Sequence, residues 1–342
     1  MPQFYIHTKI TALSLKHAFT ISRGTKSVVQ NVIITLTADG VSGFGEAAPN
    51  KRYNEDAKLV QSYINKIAPG GMMRIDSLED LLLQMKGTGE HTASAEAALE
   101  MAWWDWFGKI RDHPLWKLWG AEKPETPVTS FTIGIDEPDI MQQKALEAEK
   151  YPVLKVKLGS RNDREIITSL RAVSDKPIRV DANEGWTSTD TAKKMISFLA
   201  DQNIEFVEQP MPAGCHSEMR ALKDYSPIPL IADESFRGSE NIDDLKREFH
   251  AINIKLMKIG SLKRAQHAIS LAHKAGLDVM IGCMIESSIA VSAGALLSLY
   301  ADIADLDGFL LIQEDPYKGL KLTEQCRVQL SYKPGLGVEP KE

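Results

Sequence analysis

Cysteine is scarce in this chain: Cys215, Cys283 and Cys326 stand far apart among 342 residues. Thiols so scattered build neither a disulfide framework nor a zinc cluster, and they fit a reducing compartment as small buried or half-buried residues. A basic block is absent too. The net charge is −6 with acids and bases interspersed, which leaves no electrostatic footprint for nucleic acid or an anionic membrane. Nor is there a long apolar run. His7, Lys9, Lys16 and His17 break up the N-terminal stretch, which argues against a secretory signal. The softest segment, Ser287 to Ala301, is diluted with serine and is shorter than the roughly 20 apolar residues of a membrane span, so it reads as a buried helix. These absences leave a cytoplasmic globular protein that handles a small molecule, with chain enough for one barrel of roughly 250 residues and a smaller domain.

The first 60 or so residues alternate like strands, with Val32-Ile33-Ile34-Thr35-Leu36 bounded by turn signals at Asp39-Gly40 and Gly43. From Ser77 to about Leu118 the apolar residues recur at three and four positions, as in Ala95, Ala98, Leu99, Ala102, Trp103 and Trp106, which is helical spacing. An α+β domain over residues 1–120 follows. Beyond it, short β-branched runs alternate with helical patterns: Val128–Gly134, Val153–Leu158, Ile178–Asp181, Ile204–Glu208, Pro229–Asp233, Ala251–Leu256, Asp278–Gly282 and about Ile303–Asp307. Eight such units suggest a closed parallel barrel over 121–315. The tail, 316–342, adds no further unit and is expected to return to the N-terminal domain.

Charge sits at the ends of these runs in register. In Val153–Leu158 the residues Leu154, Val156 and Leu158 share one face and Lys155 and Lys157 the other, their α-carbons about 7 Å apart. Asp181, Glu208 and Asp233 each close an apolar run. Steps of 24, 27, 25 and 22 residues separate Lys157, Asp181, Glu208, Asp233 and Lys255, each close to the roughly 24 residues of one βα unit. All five therefore fall at the C-terminal mouth of the barrel. Three converging carboxylates cannot all stay ionised without a cation among them, and a small all-oxygen set suits one Mg²⁺. In Ala251–Leu256 the inward residues are Asn253 and Lys255, with Lys258 past the strand end. Asp305 and Asp307, two apart on the eighth run, form a pair able to hold a cation such as an ammonium.

Lys-Val-Lys-Leu-Gly (155–159), Asp-Ala-Asn-Glu-Gly-Trp (181–186), Val-Glu-Gln-Pro (207–210), Ala-Asp-Glu-Ser (232–235) and Asn-Ile-Lys-Leu-Met-Lys (253–258) resemble the muconate-lactonising subgroup of the enolase superfamily. Gly43–Pro49 and Ala97–Ala102 look like the motifs of its capping domain, so the likeness spans nearly the whole chain. The resemblance implies a modified (β/α)7β TIM barrel with an N-terminal α+β capping domain completed by the C-terminal tail, in a homo-oligomer. It implies Mg²⁺ on Asp181, Glu208 and Asp233, Lys157 and Lys255 as paired acid and base, and Lys155 beside the substrate carboxylate, helping to depress the pKa of Lys157. The Asp-x-Asp at 305 and 307 resembles that of dipeptide epimerases, where it takes the substrate's free ammonium. Muconate cycloisomerase and o-succinylbenzoate synthase substrates lack that group, and no histidine stands at the sixth or seventh strand end for a sugar-acid dehydratase. A binding protein on a retired barrel is disfavoured by the intact acids and lysines. Thr132 and Cys283-Met284-Ile285 are expected along the substrate. Members acting on Ala-Glu often carry a loop arginine where an ungapped comparison puts Gly24, with Arg23 one place earlier. The expectation is therefore Ala-X dipeptides with small or uncharged X.

Overall fold

The computed structural model describes residues 3–341. Three long strands open the cap: β1 (Gln3–Ile21), β2 (Gly24–Ala38) and β3 (Val41–Ala47). The β2–β3 turn is made by Asp39 and Gly40, both at positive φ, the conformation that a tight two-residue hairpin requires. With β4 (Met72–Arg74) they form an antiparallel sheet in the order β3-β2-β1-β4. Val32, Ile34 and Leu36 of β2 pack with α1 (Ala57–Ile67), α2 (Leu78–Gly87) and α3 (Ala93–Ile110) in one apolar cluster. Helix α3 lies flat on β3 because Gly43 and Gly45 have no side chains: a Cβ on Gly45 would stand 1.9 Å from the Ala98 carbonyl oxygen. Gly45→Ala is therefore expected to cost about 3 kcal/mol by overpacking, read from denaturant unfolding. A variant as stable as the parent would contradict this packing.

Helix α4 (Leu115–Leu118) and strand β5 (Glu125–Val128) lead into eight parallel strands. These are β6 (Phe131–Ile133), β7 (Leu154–Lys157), β8 (Ile178–Asp181), β9 (Ile204–Glu208), β10 (Leu230–Ala232), β11 (Ala251–Lys255), β12 (Asp278–Gly282) and β13 (Ile303–Asp305), paired in that order. The parallel bridge Thr129–Ala304 and the hydrogen bond from Leu306 N to Thr129 Oγ1 close the ring between β13 and β6. Outside lie α5 (Pro138–Glu147), α6 (Asp163–Arg171), α7 (Thr189–Ala200), α8 (His216–Tyr225), α9 (Ile242–Glu248), α10 (Leu256–Ile259), α11 (Leu262–Ala275) and α12 (Ser288–Ser298). After β13 there is only the short α13 (Gly308–Leu311), so the barrel has the (β/α)7β form expected above. Helix α12, the serine-diluted apolar segment, is buried along its whole length. No helix among the described residues is long and apolar enough to cross a membrane.

Outward side chains such as Val156, Val180, Val207 and Ile254 join the helices in the main core. Inside, Phe206, Ile231, Ala251 and Met280 form an apolar plug. Nearer the C-terminal end the inward side chains turn polar and charged, among them Glu208, Asp233, Asn253 and Lys255. The plug seals the floor and the charges line the mouth.

The structure divides the run Val128–Gly134. Its first residue, Val128, ends β5 (Glu125–Val128), which pairs outside the ring with β16 (Arg327–Gln329) of the tail, and β16 pairs in turn with β15 (Lys321–Leu322). The tail also forms β14 (Tyr317–Lys318) and β17 (Glu339–Pro340), paired with each other. It touches the cap as well: Leu336 N donates to Asp105 of α3 and Leu115 N donates to the Gly335 carbonyl. A second link between cap and barrel is Glu46, at the end of β3. Its buried carboxylate accepts from Ser287 N, Ser287 Oγ and Ala290 N at the start of α12, where the helix dipole favours an anion.

Candidate active site

Strand register brings the charged residues together. Lys157 pairs with Asp181, and Asp181 with Glu208, at the ends of β7, β8 and β9. Asp181, Glu208 and Asp233 are all buried, and each offers a carboxylate oxygen within 4.8 Å of the others. Lys157 Nζ lies 2.6 Å from Asp181 and Lys255 Nζ lies 2.8 Å from Asp233. Between β7 and β11 there are four steps in a ring of eight strands, so Lys157 and Lys255 rise from opposite walls with the three acids on the arc between them. Gly282 makes this possible: a Cβ there would meet Asn253 Oδ1 at 2.6 Å and the Lys255 side chain at 3.0 Å. Lys258, on α10, lies behind the site, its ammonium bonded to Asp233 Oδ1 at 2.6 Å and to the Asn253 carbonyl at 3.0 Å. The mouth-facing lysine of this segment is Lys255.

Lys155 is the most deeply buried of the four lysines, at 1% exposure. It is paired with Asp305, with Glu208 at 2.5 Å and with Asp181 at 3.6 Å. Asp305 also accepts from Ser130 Oγ at 2.6 Å, so its charge is already matched within the protein. Asp307 accepts from Thr132 N at 2.6 Å, and burial, reinforced by Asp305, pushes its carboxyl up to about 6.

The electrostatics of the triad are those of an incompletely neutralised cluster. Burial pushes all three carboxyls up. Lys157 and Lys155 reverse this for Asp181, and Lys255 and Lys258 reverse it for Asp233, both of which end below the usual range. Glu208, facing the other two acids, stays raised. Burial likewise pulls Lys155 and Lys255 down, but the surrounding carboxylates overcome it and hold both well above the ordinary lysine value. Three buried oxygens this close, one of them on a carboxyl that resists ionising, are a donor set that fits a small hard cation.

Above the triad is a cavity of about 440 Å³, large enough for a dipeptide. Thr132, Cys283, Met284, Ile285, Asp305 and Asp307 line it from the barrel. Arg23 and Gly24 line it from the cap, but the Arg23 guanidinium is engaged by Glu234 at 2.6 Å and Glu184 at 3.1 Å. Sequence reasoning passed over Lys26 and Tyr53, which also line the wall, and the buried Glu234. Lys26 reaches the wall by pairing with Phe19 across the β1–β2 hairpin, two residues beyond Gly24.

Acids and amines gathered at the mouth of a capped parallel barrel define an enzyme that moves protons on a small charged molecule. Residues 140–342 match the Enolase C-terminal domain-like family, and residues 5–120 match the Mandelate racemase / muconate lactonizing enzyme, N-terminal domain family. The chain belongs to the mandelate racemase/muconate lactonizing enzyme group of the enolase superfamily. It is 38% identical to the L-Ala-D/L-Glu epimerase of Bacteroides thetaiotaomicron, over 95% of this chain and 85% of that one. It is 40% identical to the L-Ala-D/L-amino acid epimerase of Pedosphaera parvula, over 90% and 91%. Among solved structures, the dipeptide epimerase from Enterococcus faecalis V583 complexed with Mg and dipeptide L-Leu-L-Tyr has a TM-score of 0.91 at 29% identity, covering 99% of this chain and 100% of that one.

Proposed function

We propose that this protein is a dipeptide epimerase that removes and returns the α-proton of the C-terminal residue, with Lys157 and Lys255 as the two proton carriers. The observation that carries this is their placement halfway round the barrel from each other, with Asp181, Glu208 and Asp233 between. A neutral lysine on one wall takes the α-proton, and the ammonium on the other wall gives a proton to the opposite face, so the configuration inverts. Each stereoisomer meets a base, and the reaction runs both ways. Mg²⁺ held by Asp181, Glu208 and Asp233 would supply positive charge against the second negative charge that a carboxylate acquires when its α-proton leaves, and would offset the carboxylate charge that holds Lys255 protonated. Lys155, fixed by Asp305 and Glu208, adds a buried positive charge to this end of the site. Asp307 is the carboxylate placed to take the free ammonium of the N-terminal residue.

The cap decides the side chain. Positions 23 and 24 alone suggested a small or uncharged X, but Lys26 is a further cation in the wall, and among the described residues no carboxylate pairs with it. Burial, Lys51 and Arg23 all lower its pKa, so a carboxylate entering there relieves repulsion among three cations. We therefore favour Ala-X substrates with acidic X. With Mg²⁺ present, chiral chromatography should show L-Ala-L-Glu epimerised with a kcat/KM roughly tenfold or more above L-Ala-L-Gln, as one charge-assisted hydrogen bond of about 1.5–3 kcal/mol implies. Lys26→Met should erase that preference. Faster turnover of L-Ala-L-Gln or L-Ala-L-Leu by the parent enzyme would restore the uncharged reading. No turnover of any dipeptide would remove the epimerase assignment itself.

A further inference from the structure

Two segments of the cap roof the cavity: the β1–β2 turn with the residues after it, through Lys26, and the turn at Lys51–Tyr53. Neither is part of the barrel, yet both must sit at a set height above the lysines if one substrate is to touch cap and barrel together. Both are tied to the same carboxylate. Glu184 follows β8, three residues after Asp181, where Asn183 and Glu184 take positive φ in succession. Arg52 grips it with two hydrogen bonds of 3.0 Å each, one to each oxygen. Arg23 bonds Oε2 at 3.1 Å, and Ala213 N, from the loop after β9, bonds Oε1 at 2.9 Å. Ser22 Oγ and Arg23 Nη1 add bonds to the neighbouring Asn183 carbonyl, at 2.7 and 2.9 Å. The Glu184 side chain is only 11% exposed. Among the described residues it alone pairs with both arginines, whereas Glu234 reaches only Arg23.

We propose that Glu184 is a positioning residue that latches both roof segments to the barrel and so sets the span between the side-chain subsite at Lys26 and the proton-carrying lysines. This rests on the epimerase reading above for its effect on turnover, but not for the latch itself. Bidentate arginine–carboxylate pairing fixes direction as well as distance, and one shared acid couples the two segments, so freeing either loosens the other's partner. A substrate that has to bridge Lys26 and Asp307 then loses binding before it loses chemistry.

The full-length protein, Glu184→Gln, Arg52→Met and the double variant test this by two readouts. Hydrogen exchange should quicken in residues 21–26 and 51–53 together in Glu184→Gln, with the barrel strands unchanged. Kinetics with L-Ala-L-Glu and Mg²⁺ should show KM raised roughly tenfold, about 1.4 kcal/mol of lost binding, with kcat little altered. Arg52→Met should add little to Glu184→Gln, because both remove one shared contact. The proposal is overturned if exchange in either segment stays at the parent rate, if the two substitutions add, or if kcat falls with KM unchanged alongside a lower melting temperature. Should the parent epimerise no dipeptide, the functional assignment fails while the exchange measurement still decides the latch.

Discussion

Replacing either Lys157 or Lys255 by alanine will abolish epimerisation, with kcat falling by the 10²–10⁴-fold or so that general acid–base catalysis contributes. Each variant will retain half of the chemistry. In D₂O, the lysine that remains still faces the α-proton of one stereoisomer, and it will exchange that proton for deuterium without inverting the carbon. Lys157→Ala and Lys255→Ala should therefore label opposite isomers, read by mass spectrometry after chiral separation. Both variants should fold. Without Lys157, Asp181 keeps Lys155 at 3.6 Å, and without Lys255, Asp233 keeps Lys258 at 2.6 Å, so neither buried acid is stranded without a cation. Normal turnover by Lys255→Ala would contradict the two-base scheme outright.

Removing divalent metal with a chelator will stop turnover, and Mg²⁺ will restore it. A binding readout separates this from inhibition: melting should rise with Mg²⁺ concentration, by about 2.7 kcal/mol of added stability at a hundred times the dissociation constant. Glu208→Gln is the informative variant. Burial and the neighbouring acids push the Glu208 carboxyl up, and an amide of the same shape keeps one oxygen to accept from its partners Lys155 or Asn253. The same change takes one charged ligand from the triad, and the Mg²⁺-dependent rise in melting should shrink or vanish with turnover. An undiminished rise would place the metal elsewhere.

The barrel was legible because its signals are local. A strand face repeats every two residues and a βα unit every two dozen, so Asp181, Glu208, Asp233 and Lys255 could be set at one height from spacing alone, and Lys255 separated from Lys258 by strand parity. Residues governed by long-range pairing were not legible. Val128 looks like the start of the first barrel strand, yet it ends β5 and pairs with Arg327, some two hundred residues away. The side-chain partners of Lys155 were hidden for the same reason: alternation shows that Lys155 faces inward, but not that Asp305, 150 residues on, waits there. The roof of the site was the least readable. Arg52 and Glu184 meet across cap and barrel, which are seated on each other by contacts such as those of Glu46 with the start of α12 and of the tail with α3. Reading the loop by position drew attention to Gly24, whereas the pairing of Lys26 with Phe19 is what brings the lysine to the cavity.

A crystal structure with Mg²⁺ and L-Ala-L-Glu bound would weigh the whole mechanism at once. The account predicts one metal ion touching Asp181, Glu208 and Asp233, and the Nζ atoms of Lys157 and Lys255 on opposite sides of the glutamate α-carbon, each about 3–3.5 Å from it. Both ammonium groups on one side of that carbon, or a metal held by other residues, would contradict it.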